Sequence, residues 1–194
     1  MTLNIVLLAT DEYQAQCFEH SFALHENVRI HRGIFEQLSD IDCLVSPANS
    51  FGLMDGGMDA AITNYFGVQL QEKVQAHILD EFYGEQPVGT SFVIETDNQR
   101  IPYLAHTPTM RVPAIIGGTD NVYRAMKATL IAIAQYDADF TTVAIPAFGA
   151  GAGRMPAYKV AEQMALALSH FNNPPKAIDW NFARLRANEI HWRI

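Results

Sequence analysis

The sequence predicts an α/β protein: a mixed β-sheet with helices packed on both faces. Three observations carry this. Apolar segments alternate steadily between strand-like runs and helix-like periods over the 194 residues. One run, "IDCLVSP", is almost continuously apolar, as a strand covered on both faces must be. No repeat, low-complexity tract or Ser/Pro-rich linker divides the chain, so one domain is expected over residues 1–194.

The elements follow in order. "LNIVLLA", Leu3 to Ala9, reads as a buried strand, and the acidic start of "DEYQAQCFEHSFALH" suits a helix N-terminus. "RIHRGIF" and "IDCLVSP" are the next two strands, the second running to Asn49. From Met58 to about Tyr83 the period is helical, with Gly67 breaking or bending it. "TSFVIET" and "IPYLAHT", separated by the polar "DNQR", predict a local antiparallel pair. "TDNVYRAMKATLIAIAQY" is a helix with Thr119 or Asp120 as its N-cap. "TTVAIPAFG" is the last clear strand, and "PAYKVAEQMALALSHF" is a helix with proline in its first turn. The tail from Asn172 has no clear period; a final strand, a helix, a core cap and a subunit contact all stay open.

Composition narrows the function. With 49% of residues hydrophobic the chain has material for a large core. A formal net charge of -8 argues against general affinity for nucleic acid or anionic lipid, so any phosphate must be held mainly by backbone groups. Cys17 and Cys43 are too few for a disulfide framework and lack zinc-site spacing. Neither a signal peptide nor a membrane span is legible, and a cytoplasmic location is expected. His20, His25 and His31 share no helix-face spacing, so neither metal nor cofactor is expected. His106, at a strand end, reads as a core histidine first and a weak general base second. Thr107, Thr109 and Arg111 either line a cleft or shape a proline-containing loop.

Two glycine-rich loops stand where strands hand over to helices, the place where such sheets bind ligands. In "SPANSFGLMDGGMDAAI", Gly52, Gly56 and Gly57 permit left-handed backbone and close approach to a ligand. Asn49 offers a donor and an acceptor, and Asp55 and Asp59 offer acceptors for vicinal sugar hydroxyls or a polarised water. The plainer reading makes Asn49 a turn residue and Asp59 a first-turn helix acid. "FGAGAGR", Phe148 to Arg154, provides a second set of amides able to converge on phosphate. It is GxGxG rather than the dinucleotide GxGxxG, and Arg154 stands where no Walker lysine is found.

"VSPANSFGLMDGGMDAAI" together with "VAIPAFGAGAGRMP" resembles the macrodomain family of ADP-ribose-binding modules, and the likeness covers residues 1 to about 171. The resemblance implies a three-layer αβα sandwich with a mixed central sheet, the first loop around the distal ribose and the second around the diphosphate. It implies Asn49 and Asp59 as catalytic or ribose-contacting residues. Ser50, Asp55, Gly56 and Gly57 would bind ligand from the first loop, with Phe148, Gly149, Ala150, Gly151, Ala152, Gly153 and Arg154 from the second. The sequence departs from the family pattern at Ser46, where asparagine is frequent; at Asp55, where a glycine run is frequent; and at Ile34, where an aspartate often meets adenine, Glu36 being the nearest acid. Phe148 is the aromatic nearest to the one usually found late in the second loop.

The expected partner is therefore ADP-ribose or an ADP-ribosylated substrate, and the oligomeric state stays open. The leading expectation is hydrolysis of a substituent on the distal ribose, whether an acyl ester, a phosphate or a protein-linked ADP-ribosyl group. The alternative is a non-catalytic reader of ADP-ribose or another nucleotide, and a Rossmann-type dehydrogenase ranks third.

Overall fold

The structure, a computed structural model, describes residues 3–194. Its sheet has six strands: β1 (Asn4–Ala9), β2 (Val28–Arg32), β3 (Cys43–Asn49), β4 (Phe92–Glu95), β5 (Tyr103–Met110) and β6 (Thr142–Pro146), in the order β2-β1-β6-β3-β5-β4. All neighbours run parallel except β4, which pairs antiparallel with β5 through Phe92–His106 and Glu95–Tyr103. The antiparallel pair follows from the short polar turn between the strands, since a parallel neighbour needs a crossover of a dozen residues or more.

The helices are α1 (Glu12–Ser21), α2 (Gly57–Phe66), α3 (Val68–Phe82), α4 (Asn121–Gln135), α5 (Ala157–Asn172) and α6 (Trp180–His191). Residues alternate across each strand, so Ile5 and Leu7 of β1 pack with α1, α4 and α5, while Val6 and Leu8 pack with α2 and α3. These two cores on opposite faces make the three-layer αβα sandwich with a mixed sheet. Gly67 ends α2 at φ +93° and is also the N-cap of α3, the break that its place in the helical period predicts.

Two elements differ from their predicted form. β2 stops at Arg32 and the chain then turns through a short 3-10 segment, Phe35–Gln37, because Phe35 folds back into the α2/α3 core. The tail forms α6, capped by Asp179 accepting from the Phe182 amide. None of its residues is buried: Phe182 and Ile190 are half-buried while Trp180 and Leu185 are exposed, so its apolar residues mark no single face. It is tied to α5 by Glu189 at 3.0 Å from His170 Nε2 and by Gln163 Nε2 donating to the Arg193 carbonyl. Among the described residues no helix is long and apolar enough to cross a membrane.

Candidate active site

The first loop leaves β3 at a register shift between Ala48 and Asn49. Asn49 Oδ1 accepts from the amides of Phe51 (3.1 Å) and Leu53 (3.3 Å), and its Nδ2 donates to the Leu53 carbonyl (2.7 Å). This local bonding is what favours asparagine in turns. Met54 drops into the core and is held on both backbone sides, its amide by Gln71 and its carbonyl by the Thr63 hydroxyl. The exposed stretch from Asp55 then enters α2, whose N-cap, Gly56, carries no side chain to cap the helix. The first-turn amides thus stay free to meet a ligand.

The second loop leaves β6 at Pro146. Gly149 adopts φ +70°, and the chain closes on itself through Met155 N donating to Gly149 O and Arg154 N donating to Gly151 O, each at 3.0 Å. Ile116 fastens it from outside by donating to Gly153 O at 3.0 Å. A Cβ at Gly151 would meet nothing within 4 Å, so its face is open.

β3 and β6 are adjacent and parallel, so both loops emerge at the same end of the sheet and line one cavity of about 660 Å³. The cavity brings together Asn49, Asp55, Gly56, Gly57 and Asp59 from the first loop with Gly149, Ala150, Gly151, Ala152 and Gly153 from the second. Thr10, Asp11, Gly33, Ile34 and Glu36 line it from the ends of β1 and β2. Thr109, one of the residues for which the sequence left two roles open, lines it too. A cavity of about 720 Å³ at the other end of β1, lined largely by apolar residues such as Leu130, Ile133 and Phe171, is reached by neither loop.

Three residues expected to touch ligand do not line the cavity. Phe148 is fully buried in the α1/α4/α5 core, so its ring packs the sheet instead of covering a ligand. Ser50 is 1% exposed, because its backbone bridges Arg111 and Gln86 and draws it inward. Arg154 is exposed but sits outside the lining, its backbone at φ +48° carrying the chain out of the loop.

Asp59 lies on the inward stripe of α2 with Ile62 and Phe66 and is only 7% exposed. Burial pushes its carboxyl up to about 6, a hydrogen bond from Ser46 works against that rise, and nearby Asp55 adds to it. Such a group can take a proton from a bound hydroxyl or water near neutral pH. His106, by contrast, is fully buried outside the cavity lining, with Nδ1 2.6 Å from Gln86 Oε1 and its ring stacked on Phe92. Burial first, and His77 second, lower it to about 3, so it is a neutral core histidine. Among the described residues no group of three or more His, Cys, Asp or Glu is placed to hold a metal ion.

The contact that sequence reasoning missed is Ser46 with Asp59. Thirteen residues separate them, and only the fold of α2 across β3 brings the hydroxyl to Asp59 Oδ1. Strand parity was the available signal: Leu44 and Ser46 share a face, and Leu44 packs toward α2 and α3.

The family model described as "Macro domain" matches residues 45–164, a span that holds both loops. An uncharacterized protein of Aquifex aeolicus (strain VF5) is 29% identical over 153 residues, 79% of this chain and 86% of that protein. The macrodomain of Mycobacterium tuberculosis DarG superposes with a TM-score of 0.61 at 18% identity, covering 72% of this chain and 88% of that one. The Trypanosoma brucei macrodomain in complex with ADP-ribose superposes with a TM-score of 0.53 at 15% identity, covering 69% and 54%.

Proposed function

The chain belongs to the Macro domain family, and from that premise we propose that it binds ADP-ribose and hydrolyses a substituent on the distal ribose. The observation that carries the reading is the convergence of both glycine-rich loops on one cavity with a buried carboxylate, Asp59, in its wall. The T. brucei relative is described in complex with ADP-ribose, which supports the choice of ligand.

In this reading the amides of Gly149 to Gly153 hold the diphosphate, since a net charge of -8 leaves little side-chain charge for the task. The distal ribose lies against Asn49, whose Nδ2 keeps a second hydrogen beyond the one given to Leu53. Asp59 takes the proton of a water as its oxygen attacks the acyl carbon, the phosphorus or the anomeric carbon of the substituted ribose. The bond from that atom to the ribose oxygen, or at the anomeric carbon to the protein substituent, breaks, and the leaving atom takes up the proton from Asp59. The α2 amides stabilise the developing negative charge. The base then lies toward Gly33, Ile34 and Glu36.

A second reading, a non-catalytic reader, is favoured by the engagement of the Asn49 amide in bracing its own loop. Calorimetry with ADP-ribose, AMP and NAD tests the binding. Incubation with acetylated, phosphorylated and protein-linked ADP-ribose separates enzyme from reader. Asp59→Ala is expected to lose turnover while still binding ADP-ribose; absence of turnover of all three by the wild type selects the reader.

A further inference from the structure

Ser46 stands in the middle of β3, fully buried, between the loop-bearing end of the strand and its paired start. Its Oγ donates to Asp59 Oδ1, and a serine hydroxyl has only that one hydrogen to give. Asp59 Oδ2 is not among the buried polar atoms that lack a partner, and Asp59 lines the cavity, so Oδ2 is its open side. We propose that Ser46 is a positioning residue for Asp59, tying one carboxylate oxygen to the sheet and turning the other to the ligand as proton acceptor. The kinetic part of this proposal rests on the hydrolase reading; the structural part does not.

The physical case is one of rigidity. A carboxylate at the third position of a helix has two rotatable bonds and, in a water-filled cleft, no fixed plane. A hydroxyl held on a central strand supplies a fixed, charge-assisted anchor. That bond also favours the ionised form, opposing the burial of the carboxylate and the repulsion from Asp55. Asp55, on the first loop, is the charged neighbour that acts on it among the described residues. From β5, the register partner of Ser46 is His106, which is neutral and already held by Gln86. The hydroxyl of Ser46 is thus the neighbouring side chain that favours the charge.

The test is a carbon-detected NMR titration of the Asp59 carboxyl in the ligand-free protein and in Ser46→Ala, Ser46→Cys and Ser46→Thr, with thermal melts reporting folding. In Ala and Cys, which remove the strong donor, the midpoint is expected to rise by roughly one unit; in Thr, which keeps the hydroxyl, it stays near wild type. Two loss variants keep the test decisive if one does not fold. In the turnover assay Ser46→Ala is expected to lower kcat roughly tenfold with KM within about twofold, and to move the acid limb of the pH profile upward. A merely structural role would lower kcat equally at every pH. A midpoint unmoved in Ala and Cys overturns the proposal. Absence of wild-type turnover overturns only the hydrolase reading and leaves the titration to decide the rest.

Discussion

Gly153 packs against the carbonyl oxygen of Gly149: a Cβ built on Gly153 would lie 2.5 Å from that oxygen and 2.9 Å from the Gly149 Cα. The second loop closes through this contact, and the obstacle to a side chain is backbone, which cannot swing aside.

Gly153→Ala is therefore expected to push the loop open. The overpacking should cost about 1–3 kcal/mol of stability, read from urea denaturation, and lower ADP-ribose affinity by roughly tenfold or more in calorimetry. Gly151→Ala, where a Cβ meets nothing within 4 Å, is the control expected to fold like wild type.

Asp59 yields a pH prediction. Its carboxyl titrates at about 6 in the folded protein against an ordinary value of 3.8, so between those values the folded state binds more protons than the unfolded one. Stability from this group is greatest below its unfolded value and falls as pH rises toward 6. Asp59→Asn retains an acceptor for Ser46 and removes the buried charge. It is expected to exceed wild type by about 1–3 kcal/mol at pH 7, with the gap closing by about pH 4, in denaturation series at both pH values.

Asn49 braces its loop with both ends of its amide. Asn49→Asp keeps the acceptor for the Phe51 and Leu53 amides but loses the donor to the Leu53 carbonyl and adds a charge to the cavity that Asp59 also lines. Hydrogen exchange is expected to speed at Leu53 more than at residues of β3, and ADP-ribose binding to weaken by at least about fivefold.

His170 joins three helices, with Nδ1 3.0 Å from the Tyr123 hydroxyl on α4 and Nε2 3.0 Å from Glu189 on α6. His170→Ala is expected to make the segment after Asn172 more sensitive to limited proteolysis, because α6 has no fully buried residue and is otherwise held through the half-buried Ile190 and the Gln163 bond to the Arg193 carbonyl. The core melting temperature should move by only a few degrees.

The sheet was legible because its strands carry long apolar runs with an alternation that the two cores satisfy, and the glycine loops were legible because few residues other than glycine tolerate such backbone. Asn49, Asp55, Gly56, Gly57 and Asp59 share one cavity with Gly149, Ala150, Gly151, Ala152 and Gly153, whereas Ser50, Phe148 and Arg154 stand outside its lining. What the sequence withheld was direction. Phe148 comes two residues after β6 ends, where strand parity no longer tells inside from outside, and it turned into the core. Ser50 and Arg154 are aimed by backbone bonds that no periodicity encodes. In the sequence Ser46 is only a departure from a pattern; its meeting with Asp59 depends on how α2 crosses β3, a tertiary fact. α6 is hard to read because its apolar residues mark no single face: Trp180 and Leu185 are exposed, while Phe182 is half-buried and Ile190 packs against the core.

Since β4 runs against β5, the chain reverses at the end of the sheet remote from the glycine loops, and Gln99 sits exposed at the tip of that reversal. A fluorophore attached through a cysteine installed there would stand clear of the nucleotide. Its neighbour Arg100 must be spared, because it donates to the carbonyls of Glu36 and Leu38 and so staples the β2–β3 connection beneath the rim.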